Sequence, residues 1–337
     1  MTRRWLGLTA LLLLAAPTWS EPPAGLAQAP KGFDTRREGV EQGKLETIEY
    51  DSKSIGSKRK MVVYLPPGYS KETKYPVLYL LHGAGDDENG WTRRGSASAI
   101  LDNLYADKKI APMIVVMPNG STRPTGPGAA VAGAFLRRAD TDKNGKVTEE
   151  EWLAAARAFF KECDKDGKGV LDEKQLADGI NRMVQPPGGR PGRPAGFGAY
   201  TAFENDLLKD IIPYVESHYP VKASPECRAI AGLSMGGGQA LTIGLRHLDT
   251  FAWVGGFSSA IFGNQAELAP AGAAAKLRLL WLSCGDTDRL MDASKTFHTS
   301  LEEKKIAHIW HIDSGGHTWP VWKNDLYLLA QMLFHDK

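Results

Sequence analysis

Ser234 stands in the run AGLSMGG, with Gly232 and Gly236 two positions to either side. A serine spaced in this way can serve as a nucleophile that accepts an acyl group. The chemistry needs a hydroxyl held above a sheet on a sharp strand-to-helix turn, and such a turn tolerates only small neighbours. The stretch 227–234 is apolar and strand-like, and 235–247 has helical character, so the motif sits in the context it requires. The same turn aims the backbone N–H of Met235 at the reacting carbonyl. The helix N-terminus adds partial positive charge where an oxyanion would form.

A serine nucleophile needs a histidine base oriented by a carboxylate, in the chain order Ser, Asp or Glu, His. Of the histidines after Ser234, His247, His298 and His335 fall in helical stretches, and His308 and His311 in or at the end of the last strand-like run. His317, in SGGHTW, lies in a Gly-rich loop beyond that strand and can reach the carboxyl edge of a sheet. For the acid, SCGDTD offers Asp286 and Asp288 at that edge, and spacing alone does not choose between them. Asp286 reads more naturally as a helix cap. Asp313, in the histidine's own loop, ranks third. A second oxyanion donor is expected in LLHGAG, where the N–H of Ala84 is the candidate. His82, before that turn, reads as a structural residue that orders the loop.

A second chemistry interrupts the first. From Asp140, oxygen-bearing residues recur at loop positions 1, 3, 5, 9 and 12: Asp140, Asp142, Asn144, Thr148 and Glu151. Gly145 permits the tight turn and Lys146 offers its carbonyl, the pattern of an EF-hand calcium loop. A second loop begins 24 residues on with Asp164, Asp166, Val170 (through its carbonyl) and Asp172. It carries Lys168 at position 5 and Gln175 at position 12, which adds a positive charge and removes the bidentate carboxylate. The second loop is therefore expected to be a weak site or a structural partner, with one shared helix between the two.

The elements that must position these residues alternate. Strand-like runs fall at 45–51, 59–66, 75–83, 111–120, 227–234, 251–258, 277–285 and 307–315, most of them apolar along their whole length. Such runs belong to strands covered on both faces, and the first two suit an antiparallel start. Helices are expected over 203–219, 235–247, 292–305 (capped by Asp292) and 321–334. In the first of these, Phe203, Leu207, Ile211 and Val215 recur at four-residue spacing. The result is an α/β chain with a mostly parallel eight-stranded sheet covered by helices on both faces. One connection, Gly120 to Phe203, takes about 80 residues where a short loop would serve. Residues 133–184 read as a small all-α calcium module inserted there, and the Pro/Gly-rich stretch 185–198 as its linker. Its ends are expected at the carboxyl edge of the sheet, as a rim or lid beside Ser234, with calcium ordering it and performing no chemistry.

Arg3 and Arg4, a short apolar core and small residues near Ser20 have the layout of a secretory signal over 1–20, so the chain is expected to be secreted or periplasmic and free of the membrane after cleavage. Residues 21–39 read as a flexible leader. The remaining length suits one large domain plus a small insert. The formal charge is only +2 and no basic tract carries interleaved aromatics, which argues against nucleic-acid binding. Three cysteines, Cys163, Cys227 and Cys284, do not make a disulfide framework, and the latter two suit buried thiols.

The segments VYLPPGY, YPVLYLLHGAGDDENGW, MPNG, FENDLLKDIIPYVE, AGLSMGG, CGDTD and SGGHTWPVWKNDL together resemble the family-one carbohydrate esterases, the group of feruloyl and acetyl xylan esterases related to esterase D-like proteins. The resemblance covers 40–120 and 199–337. It implies an α/β-hydrolase fold, Ser234 as nucleophile, His317 as base and Asp288 rather than Asp286 as acid. It also places Ala84 and Met235 at the oxyanion amides, with Trp319 and Trp322 either lining the acyl or sugar site or packing in the core. The insertion departs from the family's pattern. The expected activity is hydrolysis of a feruloyl or acetyl ester of plant polysaccharide. The alternatives are acyl transfer on the same fold and a calcium-dependent binding protein on an inactive scaffold.

Overall fold

The computed structural model describes residues 29–122, 127–142, 144, 146–184, 200–261, 268–270 and 272–335. The expected signal segment and linker, and Gly145, lie outside them. The eight strands are β1 (Lys44–Ser52), β2 (Ser57–Leu65), β3 (Val77–Leu81), β4 (Ile114–Pro118), β5 (Arg228–Leu233), β6 (Trp253–Phe257), β7 (Leu279–Gly285) and β8 (Ile309–Asp313). They form one sheet in the order β1-β2-β4-β3-β5-β6-β7-β8. β2 runs antiparallel to both its neighbours, and all other pairs are parallel.

The helices are α1 (Gly90–Arg93), α2 (Ala97–Ala106), α3 (Pro127–Ala139), α4 (Glu149–Cys163), α5 (Glu173–Val184), α6 (Thr201–Asp206), α7 (Ile212–His218), α8 (Met235–Arg246), α9 (Ala273–Lys276), α10 (Met291–Glu303) and α11 (Trp319–Ala330). Two apolar layers sandwich the sheet. Tyr79 and Leu81 face one layer with Ile230, Leu241 and Phe203, while Leu78 and Leu80 face the other with Trp91, Ala231 and Leu326. Alternate residues of β3 thus enter different cores, which is why the strand is apolar throughout.

Between α6 and α7 the chain passes through a π-helical turn, Leu207–Ile211. A four-residue spacing drifts by roughly 120° over twelve residues of α-helix, and a wider turn takes up part of that drift. Phe203, Leu207, Ile211 and Val215 all remain buried.

Several expectations are corrected. Residues 29–37 are docked rather than flexible. Phe33 packs edge-on against Tyr327 at 5.3 Å, the Asn103 side-chain amide donates to the carbonyls of Phe33 and Thr35, and Lys323 pairs with Asp34. Helix α3 begins at Pro127, six residues before the expected edge of the insert. Helix α11 starts at Trp319 because Pro320 fits the first turn, where no N–H is needed. Asp292 lies in the first turn of α10, and Leu290 holds the cap position. The cysteines are free; Cys163 and Cys284 are buried, whereas Cys227 is partly exposed.

Candidate active site

β5 delivers Ser234 to the carboxyl edge of the sheet, and α8 leaves directly from it. The turn is tight enough to hold Ser234 at φ 53° and ψ −113°, a strained backbone for a residue with a side chain. The strain is held by hydrogen bonds. Ser234 N–H donates to Phe257 O at 2.8 Å, and Ser234 O accepts from Gly238 N (3.0 Å) and Ala260 N (2.8 Å). The flanking glycines are required by close approach. A Cβ on Gly236 would lie 2.5 Å from His82 O, and one on Gly232 would lie 2.6 Å from Gly236 C.

The histidine loop comes from the far side of the sheet, after β8. His317 Nε2 lies 2.9 Å from Ser234 Oγ, and its Nδ1 lies 2.9 and 3.1 Å from the two Asp288 oxygens. The carboxylate can only accept, so Nδ1 carries the proton and Nε2 is free to accept from the serine hydroxyl. Asp288 is buried and also accepts from Leu290 N at 2.8 Å. Burial pushes its carboxyl up, but the hydrogen bonds from His317 and the Leu290 amide outweigh it and hold it below the usual carboxylate range. Trp322 meets the His317 ring edge-on at 4.9 Å, Trp319 meets Trp322 at 5.4 Å, and Trp91 meets Trp319 at 5.3 Å. This row of indoles backs the imidazole. Trp322 belongs to the core, and Trp319 is half-buried beneath the Arg94 guanidinium.

Ala84 follows Gly83, whose added Cβ would lie 3.5 Å from Ser234 Cβ, so the β3 loop runs beside the nucleophile. Met235 is the first residue of α8. The N–H groups of Ala84 and Met235 thus come from the two segments that flank Ser234. His82 ties this region together. Its Nδ1 donates to Gly83 O at 2.8 Å, and its Nε2 accepts from Gly120 N at 2.9 Å. Gln239 of α8 donates to Gly120 O at 2.8 Å. His82 is therefore a buried, neutral crosslink between two loops and the nucleophile helix.

The same contacts place the ends of the long connection. Gly120, where it departs, is bound to His82 and Gln239. Tyr200, where the described chain resumes, donates to Ala260 O at 3.0 Å, and Ala260 N donates to Ser234 O. Both ends meet beside the serine turn. Within the connection α3, α4 and α5 pack on one another, and α4 alone joins the two acidic loops.

In the first loop, carboxylate oxygens of Asp140, Asp142 and Glu151 come within 4.8 Å of one another. The Asn144 backbone N–H donates to Asp140 and Asp142, and Lys146 N donates to Asn144 Oδ1. Glu151 accepts from Thr148 and Thr141, which hold its carboxyl down at about 2, and it completes a capping box on α4 with Thr148. In the second loop Asp164 binds the amides of Lys168 and Gly169, and Lys168 pairs with Asp166 at 3.0 Å. Asp172 and Gln175 exchange backbone and side-chain hydrogen bonds, and Val170 is exposed. The three carboxylates of the first loop fit a hard cation. The second loop spends an acidic side chain on its own lysine.

Asp286 does not cap a helix. Its Oδ1 accepts from Gly315 N at 2.8 Å, and its own N–H donates to Asp313 O at 2.8 Å, so it latches the histidine loop to β7. Gln239 and Tyr200 are further positioning residues without a sequence signal of their own, because their partners are backbone atoms far along the chain.

The sequence profile of the Esterase family matches residues 52–157 and 172–330. The chain is 27% identical over 307 residues to an endo-1,4-beta-xylanase/feruloyl esterase of Xylanibacter ruminicola, covering 90% of this chain and 33% of the relative. It therefore spans about a third of the length of that curated relative. Among solved structures it is similar to a family-one ferulic acid esterase from Anaeromyces mucronatus in complex with ferulic acid. That match has 25% identity and a TM-score of 0.65, covering 91% of this chain and 96% of the other. The S-formylglutathione hydrolase of Staphylococcus aureus shares the fold at 18% identity, with a TM-score of 0.53 over 88% of this chain and 98% of that one.

Proposed function

The chain belongs to the Esterase family, and we propose that it is a serine carboxylic-ester hydrolase acting on feruloyl or acetyl esters of plant polysaccharide. The observation that carries this reading is the relay of hydrogen bonds from Asp288 through His317 to Ser234. Ser234 Oγ attacks the ester carbonyl as His317 Nε2 takes its proton. The amides of Ala84 and Met235 hold the oxyanion, each such donor contributing about 10²–10³ in rate. His317 then returns the proton to the departing sugar oxygen. A water, activated by the same ring, releases the acid from Ser234. Asp288 stabilises the imidazolium and fixes its tautomer throughout.

The substrate class rests on the relatives, whose names specify ferulic acid and xylan. The Arg-led apolar start of the chain supports export to where such polymers occur. Asp140, Asp142, Asn144, Thr148, Glu151 and the Lys146 carbonyl would hold calcium in the first loop. The ion would order a module whose ends meet beside Ser234, forming a rim of the site, and would perform no chemistry.

The test is a panel of methyl ferulate, acetylated xylan and short p-nitrophenyl esters, run on the wild type and Ser234→Ala with calcium or a chelator. The expected result is ester hydrolysis that Ser234→Ala abolishes. A chelator that changes neither melting temperature nor turnover overturns the role of the insert.

A further inference from the structure

On the far side of the histidine loop, β8 and α11 enclose a group of polar side chains that the relay does not use. His311 and Asp313 point to the same face of β8, being two residues apart on a strand. Asp325 rises to meet them from α11. One ligand atom from each of the three lies within 4.8 Å of the others. His311 Nε2 and Asp313 Oδ1 are 3.4 Å apart. The other Asp313 oxygen accepts from Asn324 Nδ2 at 2.7 Å, which fixes the carboxylate.

The decisive residue is Asp325. Its exposure is 0%, and neither of its oxygens makes a hydrogen bond of good geometry; the Ser283 hydroxyl of β7 lies beside it and is itself without a partner. His311 Nε2 is likewise without one. A carboxylate in such a place is costly unless a partner compensates it. Two carboxylates and an imidazole converging on one point satisfy the donor set of a divalent ion, and a single ion would serve all three groups at once. A proton on Asp325, even with the Ser283 hydroxyl turned to its other oxygen, would leave His311 Nε2 unserved.

We propose that His311, Asp313 and Asp325 form a buried divalent-cation site, separate from the acidic loops of the insert. A ring nitrogen with two carboxylate oxygens favours a transition ion such as Zn²⁺ or Mn²⁺ over calcium. Its place in the fold assigns its work. Asp313 lies four residues before His317 and Asp325 eight residues after it. An ion there closes the base of the loop that carries His317, with Asp286 latching the loop from the other side. It touches no reacting atom, so its residues are positioning residues.

The full chain, stripped with a chelator, is loaded with Zn²⁺ or Mn²⁺ in the presence of excess calcium, which occupies the acidic loops. Metal content and melting temperature are then read. The expected result is ~1 transition ion per chain and a rise in melting temperature, both retained in Glu151→Gln. His311→Gln and Asp325→Asn should each take the content to ~0 and remove the rise. Asp325→Asn is isosteric and replaces a buried charge, so its metal-free form should melt no lower than the metal-free wild type, which separates lost binding from failure to fold. A wild type that takes up neither ion, or variants that bind as the wild type does, would overturn the proposal.

Discussion

Replacing Asp288 with Asn tests the relay at its most defined point. Asp288 has two acceptor oxygens with different duties. Oδ1 accepts from Leu290 N at 2.8 Å, and Oδ2 is the nearer oxygen to His317 Nδ1, at 2.9 Å. An asparagine supplies one acceptor and one donor. The Leu290 amide demands the acceptor, because turning an NH₂ toward it would leave a buried donor unsatisfied at about 1–3 kcal/mol. The NH₂ must then face His317 Nδ1, which becomes an acceptor, and the ring proton moves to Nε2. In that tautomer the ring cannot take the proton of Ser234. Turnover of p-nitrophenyl acetate or methyl ferulate should fall by about 10³–10⁴ in kcat, or roughly 4–5.5 kcal/mol of barrier. KM should barely change, since no substrate contact is removed. Circular dichroism and melting temperature verify the fold. A folded Asp288→Asn enzyme that keeps more than about a tenth of wild-type kcat would refute the tautomer argument.

Other perturbations separate the parts. Gly236→Ala pushes a Cβ against the backbone at His82 O and Leu81 C, which cannot move aside; it should cost about 1–3 kcal/mol, a melting-temperature fall of roughly 2–10 °C. Asp286→Ala removes the latch on Gly315 N and should lower kcat about tenfold with KM unchanged, while Asp286→Asn keeps an acceptor and should restore most of it. The Asp288 carboxyl is held below its ordinary value of 3.8, so the stability it confers is present above that pH and is lost as pH falls through its lowered folded value. Melting curves from neutral to acid pH should therefore show a steeper acid loss in the wild type than in Asp288→Asn.

The centre of the sheet was legible because strands β3 to β7 are apolar on both faces, and such runs have few other homes. Their expected ends were too long, as at 75–83 against Val77–Leu81, because apolar residues continue into the loops that bear the site. Ser234 and His317 were legible from local motifs in the right order, and the structure brings them within hydrogen-bonding distance. Spacing could not choose between Asp286 and Asp288, two residues in one turn at one edge. The choice depends on which side chain turns inward to His317 and which turns to the Gly315 backbone. The docking of residues 29–37 was hidden for a similar reason. A Pro/Gly-rich segment carries no period, and its order comes from Asn103 and Tyr327, far along the chain. Asp325 lies on a largely apolar helix, and only the packing of α11 over β6 and β7 brings it to His311 and Asp313.

The central claim is that Ser234 takes the acyl group with His317 as its base. Reaction with a fluorophosphonate, followed by peptide mapping, tests it most directly. One adduct per chain is expected on Ser234, absent in Ser234→Ala and formed far more slowly in His317→Ala. Stoichiometric labelling at another residue, or ester turnover that survives Ser234→Ala, would contradict it.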